Sequence, residues 1–233
     1  MKLVTGRTIT VQVSIDVPSV DEAIAVGHMA LRAGVDWLEV GTPLILFAGI
    51  PSIRPIAEAF PGREVFADIK LVDGARKYVV AATNFGATMI SICGVASDAS
   101  IREAVAGAQE TGSRIVADLY ASPDPVARAR EVAALGVDFV YLHYGGDQRA
   151  ESPDADDTLA LIPHVRAVVA VPIGVVTFDA QGALAAVDAG ADIVLIGHPF
   201  LNGPESEAML TDFVRVVKGT KRTRLLVEAP SGA

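Results

Sequence analysis

One pattern recurs along the chain: a helix-like run, a glycine, a small residue or Asp, then a run rich in β-branched residues. It reads "LRAGVDWLEV", "TNFGATMISI", "AALGVDFVYL" and "VDAGADIVLI". The glycines of these four copies, Gly34, Gly86, Gly136 and Gly190, stand about 50 residues apart. Each is placed to end a helix in the left-handed conformation before the chain enters a strand. Further apolar runs lie between the copies, so helix and strand alternate from one end of the chain to the other. Such alternation builds a parallel sheet with helical crossovers.

The full pass predicts eight strand–helix pairs. Strands are expected near Val11–Val17, Trp37–Val40, Val65–Lys70, Thr88–Cys93, Ile115–Tyr120, Phe139–His143, Ile173–Thr177 and Ile193–Gly197. Helices are expected near Val20–Ala33, Ile53–Phe60, Ala75–Phe85, Ala99–Thr111, Val126–Leu135, Thr158–Val168, Ala180–Ala189 and Glu205–Lys218. The strands read as continuous apolar runs, as parallel strands buried on both faces do. Eight such units in 233 residues, 51% of them hydrophobic, predict one (β/α)8 TIM barrel over residues 1–233. A short flexible C-terminal tail is expected from about residue 220. A doubly wound open sheet is the alternative, but "SIDVPSVDEA" lacks the glycine-rich turn such a fold carries after its first strand.

Composition removes several function classes. A net charge of −9 argues against nucleic acid, which needs a concentrated basic face. The basic run "KGTKRTR" near the C-terminus reads as solvated. No apolar run approaches the roughly 18–20 residues that cross a bilayer, and "MKLVTGRTIT" lacks the apolar core of a signal peptide. The single cysteine, Cys93, excludes an internal disulfide and reads as a core residue. A soluble cytoplasmic protein is expected.

In a barrel of this kind the chemistry lies at the C-terminal ends of the strands. There the sequence gathers Asp16, Glu39, Asp68, Lys70, Asp118, His143, Asp147 and His198. Desolvating charges is costly unless they are paired or bound to a cation. Asp68 and Lys70 are two apart and so share one face of a strand, where they would meet Glu39 from its neighbour. Two carboxylates beside one lysine repel each other unless a divalent cation joins them. Oxygen ligands suit Mg2+; a structural ion-pair network is the alternative. His143, at the end of the sixth strand, is a candidate acid or base. Asp16 and Asp118 also have plain structural readings, as a turn residue before the N-cap Ser19 and as a solvated loop residue.

These residues carry a family resemblance. "Asp-x-Lys-x-x-Asp" (Asp68, Lys70, Asp73), "EVGTP", "DL" in the fifth strand and "HYGGDQ" after the sixth resemble the orotidine-monophosphate-decarboxylase suprafamily. The likeness runs over about 200 residues. It is to the branch of 3-hexulose-6-phosphate synthase and 3-keto-L-gulonate-6-phosphate decarboxylase, because Glu39 stands where the metal-free decarboxylases carry a lysine. The resemblance implies Mg2+ held by Glu39 and Asp68. Lys70 would stabilise an oxyanion, His143 would move protons, and Asp16 and Asp118 would orient substrate hydroxyls. It also implies a homodimer in which Asp73 reaches the neighbouring site.

The activity implied by this resemblance is that of a carbon–carbon lyase acting through an enediolate on a sugar-derived substrate. Asp118 and Gly146 stand where the decarboxylase tends to carry Glu and Arg. They favour the synthase-type aldol reaction of formaldehyde with ribulose 5-phosphate over decarboxylation of a β-keto sugar acid. A ligand-binding barrel without turnover and a sugar-phosphate epimerase are further alternatives. The phosphate elements depart from the family: Val176 and Thr177 replace a glycine pair, and His198 replaces an arginine. Gly174, Thr177, Gly197 and His198 are the candidate phosphate residues, with Asp179 placed to oppose an anion.

Overall fold

The computed structural model describes residues 2–5, 9–197, 200–201, 203–219 and 223–226. Its strands are β1 (Lys2–Thr5), β2 (Thr10–Ile15), β3 (Trp37–Val40), β4 (Glu64–Leu71), β5 (Met89–Cys93), β6 (Arg114–Asp118), β7 (Phe139–Leu142), β8 (Ile173–Val176), β9 (Ile193–Ile196) and β10 (Thr223–Leu226). Strands β2 to β9 close a barrel in sequence order, each parallel to its neighbours, with β9 returning to β2. The expected eight-stranded barrel is therefore present. Lys2–Thr5 and Thr223–Leu226, the latter inside the stretch expected as a flexible tail, pair as a separate antiparallel ribbon.

Helices α1 (Val20–Arg32), α2 (Thr42–Ala48), α3 (Ile53–Ala59), α4 (Ala75–Asn84), α5 (Asp98–Thr111), α6 (Pro125–Ala134), α7 (Gly146–Glu151), α8 (Thr158–Arg166), α9 (Ala180–Ala189) and α10 (Ser206–Gly219) follow the strands. Ser19 caps α1 as expected, accepting a hydrogen bond from the Glu22 N–H. The four repeat glycines all take positive φ, which lets each strand begin a few residues after its helix ends. Among the described residues, no helix is long and apolar enough to cross a membrane.

Alternation along each strand divides the core in two. Outward residues such as Val13, Leu38, Ala67, Ile90, Val140 and Val194 pack beneath the helices. A second cluster, Phe66, Met89, Val116, Phe139, Tyr141, Ile193 and Leu195, fills the barrel interior. Arg114 closes the lower end, pairing with Glu64 and lying over the Trp37 and Phe139 rings. With an apolar plug below, the inward positions one step higher on each strand open onto the C-terminal mouth. That is where the polar residues stand.

Candidate active site

Inward positions of β2 read Gln12, Ser14 and, just past its end, Asp16. Those of β3, β4, β5 and β6 include Glu39, Asp68, Ser91 and Asp118. All but Gln12 and Ser91 line a cavity of about 670 Å³ at the mouth, together with Thr42, Lys70, Tyr141, His143, Arg149, Thr177, Phe178 and Gly197.

Glu39 is almost wholly buried and is held from two sides. Its carboxylate accepts hydrogen bonds from Gln12 Nε2 at 2.6 Å and Ser14 Oγ at 2.8 Å. The Gln12 amide is itself fixed by the Tyr141 hydroxyl, which donates to Oε1 at 2.7 Å. Burial pushes the Glu39 carboxyl well above its ordinary range, and the charges of Asp68 and Asp16 push it further. Asp16 faces water at the rim, yet the protein crowding its carboxyl raises it too, with Asp68 adding to the effect. The Ser14 hydroxyl carries one proton between two carboxylates, Glu39 and Asp16, the latter at 3.1 Å. This wall of the site thus holds more negative charge than it has partners for.

Asp68 is better supplied. Ser91 Oγ donates to Oδ1 at 2.8 Å, while Thr42 Oγ1 at 2.7 Å and Lys70 Nζ at 2.6 Å donate to Oδ2. Lys70 also stands 3.5 Å from Asp118 Oδ2. Burial works against the ammonium, but Asp68 and Asp118 outweigh it and keep Lys70 protonated far above neutrality. Lys70 has φ 53, a left-handed backbone that is uncommon for a residue with a Cβ. The strand ladder explains why. Ala67 pairs with Ile90 and Leu71 with Ile92, so β4 spends four residues where β5 spends two. The pairing of Asp68 with Lys70 therefore arises from a bulge, rather than from the even alternation expected from their spacing.

Asp118 joins the lysine to the histidine. Its Oδ2 lies 3.0 Å from His143 Nδ1, and its Oδ1 accepts from the Tyr120 N–H at 3.0 Å. With Nδ1 on the carboxylate, Nε2 is left to face the cavity. Burial would raise the Asp118 carboxyl, but His143, Lys70 and the Tyr120 N–H hold it below the ordinary range. Cys93 stands nearby, and burial, helped by Asp118, pushes its thiol up to about 11. A thiol so firmly protonated is a poor nucleophile, in keeping with a core residue.

Comparison with known proteins identifies the family of the chain. The family model described as "Orotidine 5'-phosphate decarboxylase / HUMPS family" fits residues 10–213. The chain belongs to that family. Within the orotidine 5'-phosphate decarboxylase / HUMPS family it is 29% identical to "3-hexulose-6-phosphate synthase 2" of Staphylococcus saprophyticus over 224 residues, 95% of this chain and 99% of the relative. It is 33% identical to the "3-hexulose-6-phosphate synthase" of Bacillus subtilis over 153 residues, 66% of this chain and 72% of that one. A crystal structure of a 3-hexulose-6-phosphate synthase superposes with a TM-score of 0.84 at 31% identity, covering 90% of this chain and all of that one.

The expected site residues of this family member fall into two groups. Asp16, Glu39, Asp68, Lys70, Asp118, His143, Thr177 and Gly197 all line the one cavity. Asp73 does not; it is exposed just beyond β4, as Asp147 is in the first turn of α7. Gly174 lies inside β8, outside the cavity lining, where a Cβ would come within 2.4 Å of the Tyr141 ring. Its smallness seats the tyrosine that fixes Gln12. Thr177 lines the cavity but directs both its N–H and its hydroxyl to the Leu195 carbonyl, at 2.8 and 3.0 Å. His198 lies outside the described residues. Asp179 turns inward onto its own helix, accepting from the Gly182 N–H at 2.7 Å as the N-cap of α9.

Five further polar residues, not singled out as candidates from the sequence, shape the site: Gln12, Ser14, Thr42, Ser91 and Tyr141. Two of them do leave a signal. In "VQVSID" the polar residues fall at every second position, which is the mark of a strand face turned towards something polar.

Proposed function

We propose that the chain is an aldol-type lyase that joins formaldehyde to ribulose 5-phosphate, the synthase reaction for which its relatives are named. The observation that carries this reading is the chain Asp68–Lys70–Asp118–His143. It places a fixed cation and a positioned imidazole on one wall of a cavity large enough for a pentulose phosphate. In this reading His143 Nε2 takes a proton from C1 of the ketose, and the electron pair moves towards the C2 oxygen. Lys70 faces the negative charge that develops on that oxygen, a contribution realised mainly in the transition state. The C2 carbonyl then re-forms as C1 attacks the formaldehyde carbon, the new C–C bond forms, and the formaldehyde oxygen takes the proton held by His143.

Glu39 and Asp68 fit a hard divalent cation. Four carboxylates, Asp16, Glu39, Asp68 and Asp118, share one lysine, and Glu39 in particular is charged at a cost. No three Asp, Glu, His or Cys side chains form a preformed metal cage among the described residues. Mg2+ is commonly held by one or two carboxylates, with waters and substrate oxygens completing its shell. When bound, Mg2+ would supply Lewis-acid polarisation of the substrate oxygens.

A homodimer belongs to the same proposal. Leu46 and Phe47 are each 78% exposed, Val72 is 56% and Val95 51% exposed. They follow β3, β4 and β5, three neighbouring strands, and a second copy would cover them. Asp73 beside Val72 would then approach the partner's cavity.

The decisive experiment incubates the protein with ribulose 5-phosphate in D2O with Mg2+, then adds formaldehyde. Deuterium at C1, followed by formaldehyde-dependent formation of a hexulose phosphate, is the expected result. Absence of both exchange and condensation at saturating ketose would overturn the assignment.

A further inference from the structure

The catalytic wall accounts for one of the two Lys or Arg side chains that line the cavity among its described residues. The other is Arg149, on α7, and nothing in the proton-transfer chain uses it. Arg149 also lines a second cavity of about 210 Å³, which meets the first across Val176, Thr177 and Phe178. The guanidinium lies over the Phe178 ring, 3.7 Å from its centroid, and pairs with Asp156 through one terminal nitrogen. Its Nε is buried without a hydrogen-bond partner among the described residues. A buried N–H left unpaired costs free energy that an incoming acceptor would recover.

At the end of β8 and the start of α9, several donors that a phosphate could use are already engaged. Thr177 directs both of its donors to Leu195, and the Asp179 carboxylate occupies the Gly182 N–H at the start of α9. Lys70 is held between Asp68 and Asp118. That leaves a planar, permanently charged fork, propped on an aromatic face and open to the reacting cavity. Such a fork matches the paired oxygens of a phosphate monoester.

We propose that Arg149, supported by Phe178, binds the phosphate end of the sugar substrate. Asp156 holds the empty guanidinium in place, and the phosphate engages the nitrogens that Asp156 leaves free. The inference rests on the sugar-phosphate reading of the cavity. It makes Arg149 the residue that distinguishes phosphorylated from unphosphorylated ketoses.

Inorganic phosphate is the probe. Its binding is measured by calorimetry to the wild type, Arg149→Ala, Arg149→Lys and Phe178→Leu, each first checked for an unchanged melting transition. Arg149→Ala is expected to weaken phosphate by about 10-fold or more, the scale of a lost charged hydrogen-bond pair. Arg149→Lys, which keeps the charge and loses the fork, should fall between, and Phe178→Leu should lose several-fold. With ribulose 5-phosphate as substrate, the loss should fall on KM more than on kcat. Wild-type phosphate affinity in both arginine variants would overturn the proposal even if the enzyme turns over. If no substrate turns over while phosphate binding still depends on Arg149, the reaction assignment falls and the anion site stands. Should Arg149→Ala fail to fold, Arg149→Lys and Phe178→Leu carry the same test.

Discussion

His143 Nδ1 and Asp118 Oδ2 stand 3.0 Å apart, and the same carboxylate oxygen lies 3.5 Å from the Lys70 ammonium. One buried carboxylate therefore sets the orientation of both the imidazole and the cation. Asp118→Asn keeps the size of the side chain but no longer fixes the Nδ1–H tautomer. It is expected to lower kcat by about 100-fold or more, measured by formaldehyde-dependent condensation.

The same carboxylate makes a pH prediction. Asp118 is held below the ordinary aspartate range, so its contribution to stability is complete above the unfolded value of about 4. The contribution disappears as pH falls from there through the folded value. Thermal melts of the wild type should therefore lose stability on acidification more steeply than those of Asp118→Asn. Parallel pH profiles for the two proteins would contradict the depressed carboxyl.

Lys70 combines a chemical role with a strained backbone. Lys70→Ala and Lys70→Gly should each lose most activity, since neither supplies a cation opposite developing charge. Their stabilities should differ. Both lose the same ion pairs, but glycine relieves the φ of 53, so Lys70→Gly is expected to be about 1 kcal/mol more stable than Lys70→Ala in urea denaturation. Equal stability would mean that the left-handed backbone costs nothing there.

Glu39 supplies a metal prediction. In EDTA, Glu39→Gln should melt above the wild type, because it removes a buried charge that Asp68 and Asp16 oppose while keeping the amide-sized group between Gln12 and Ser14. Saturating Mg2+ should raise the wild-type melting temperature by about 5 °C or more and leave the variant unmoved. An equal Mg2+ response in both proteins would remove Glu39 from the metal site.

Association can be tested at Phe47. The chain is 24.2 kDa, and light scattering should give twice that mass for the wild type. Phe47→Glu, which places a charge in the exposed apolar patch, should halve it. A wild type that runs as a monomer at all concentrations would end the dimer proposal.

The barrel is legible in the sequence because buried parallel strands are nearly continuous apolar runs and the repeat glycines mark where helices stop. Trp37–Val40 can be placed to the residue for that reason. Two short helices, Thr42–Ala48 and Gly146–Glu151, escape such a reading, the first because it is apolar on nearly every side and the second because it is polar on nearly every side, so neither shows a periodic stripe. The charged rim is legible because Asp, Glu, Lys and His at strand ends break an apolar pattern visibly. Thr42 and Ser91 do not break it, being small and β-compatible, although both fix Asp68. Arg149 leaves no signal at all. Its meaning depends on Phe178, 29 positions later, arriving beneath it through the fold.

The two surplus residues in β4 have an evolutionary and practical corollary. The reacting groups are specified by how many amino acids lie between Ala67 and Leu71, and not merely by which ones. Shortening that stretch by two would let the ladder with β5 run evenly but leave one position where Asp68, Ile69 and Lys70 now stand, too few for both the acid and the lysine. A homologue with a third stave trimmed there would keep the barrel's shape and lose its chemistry.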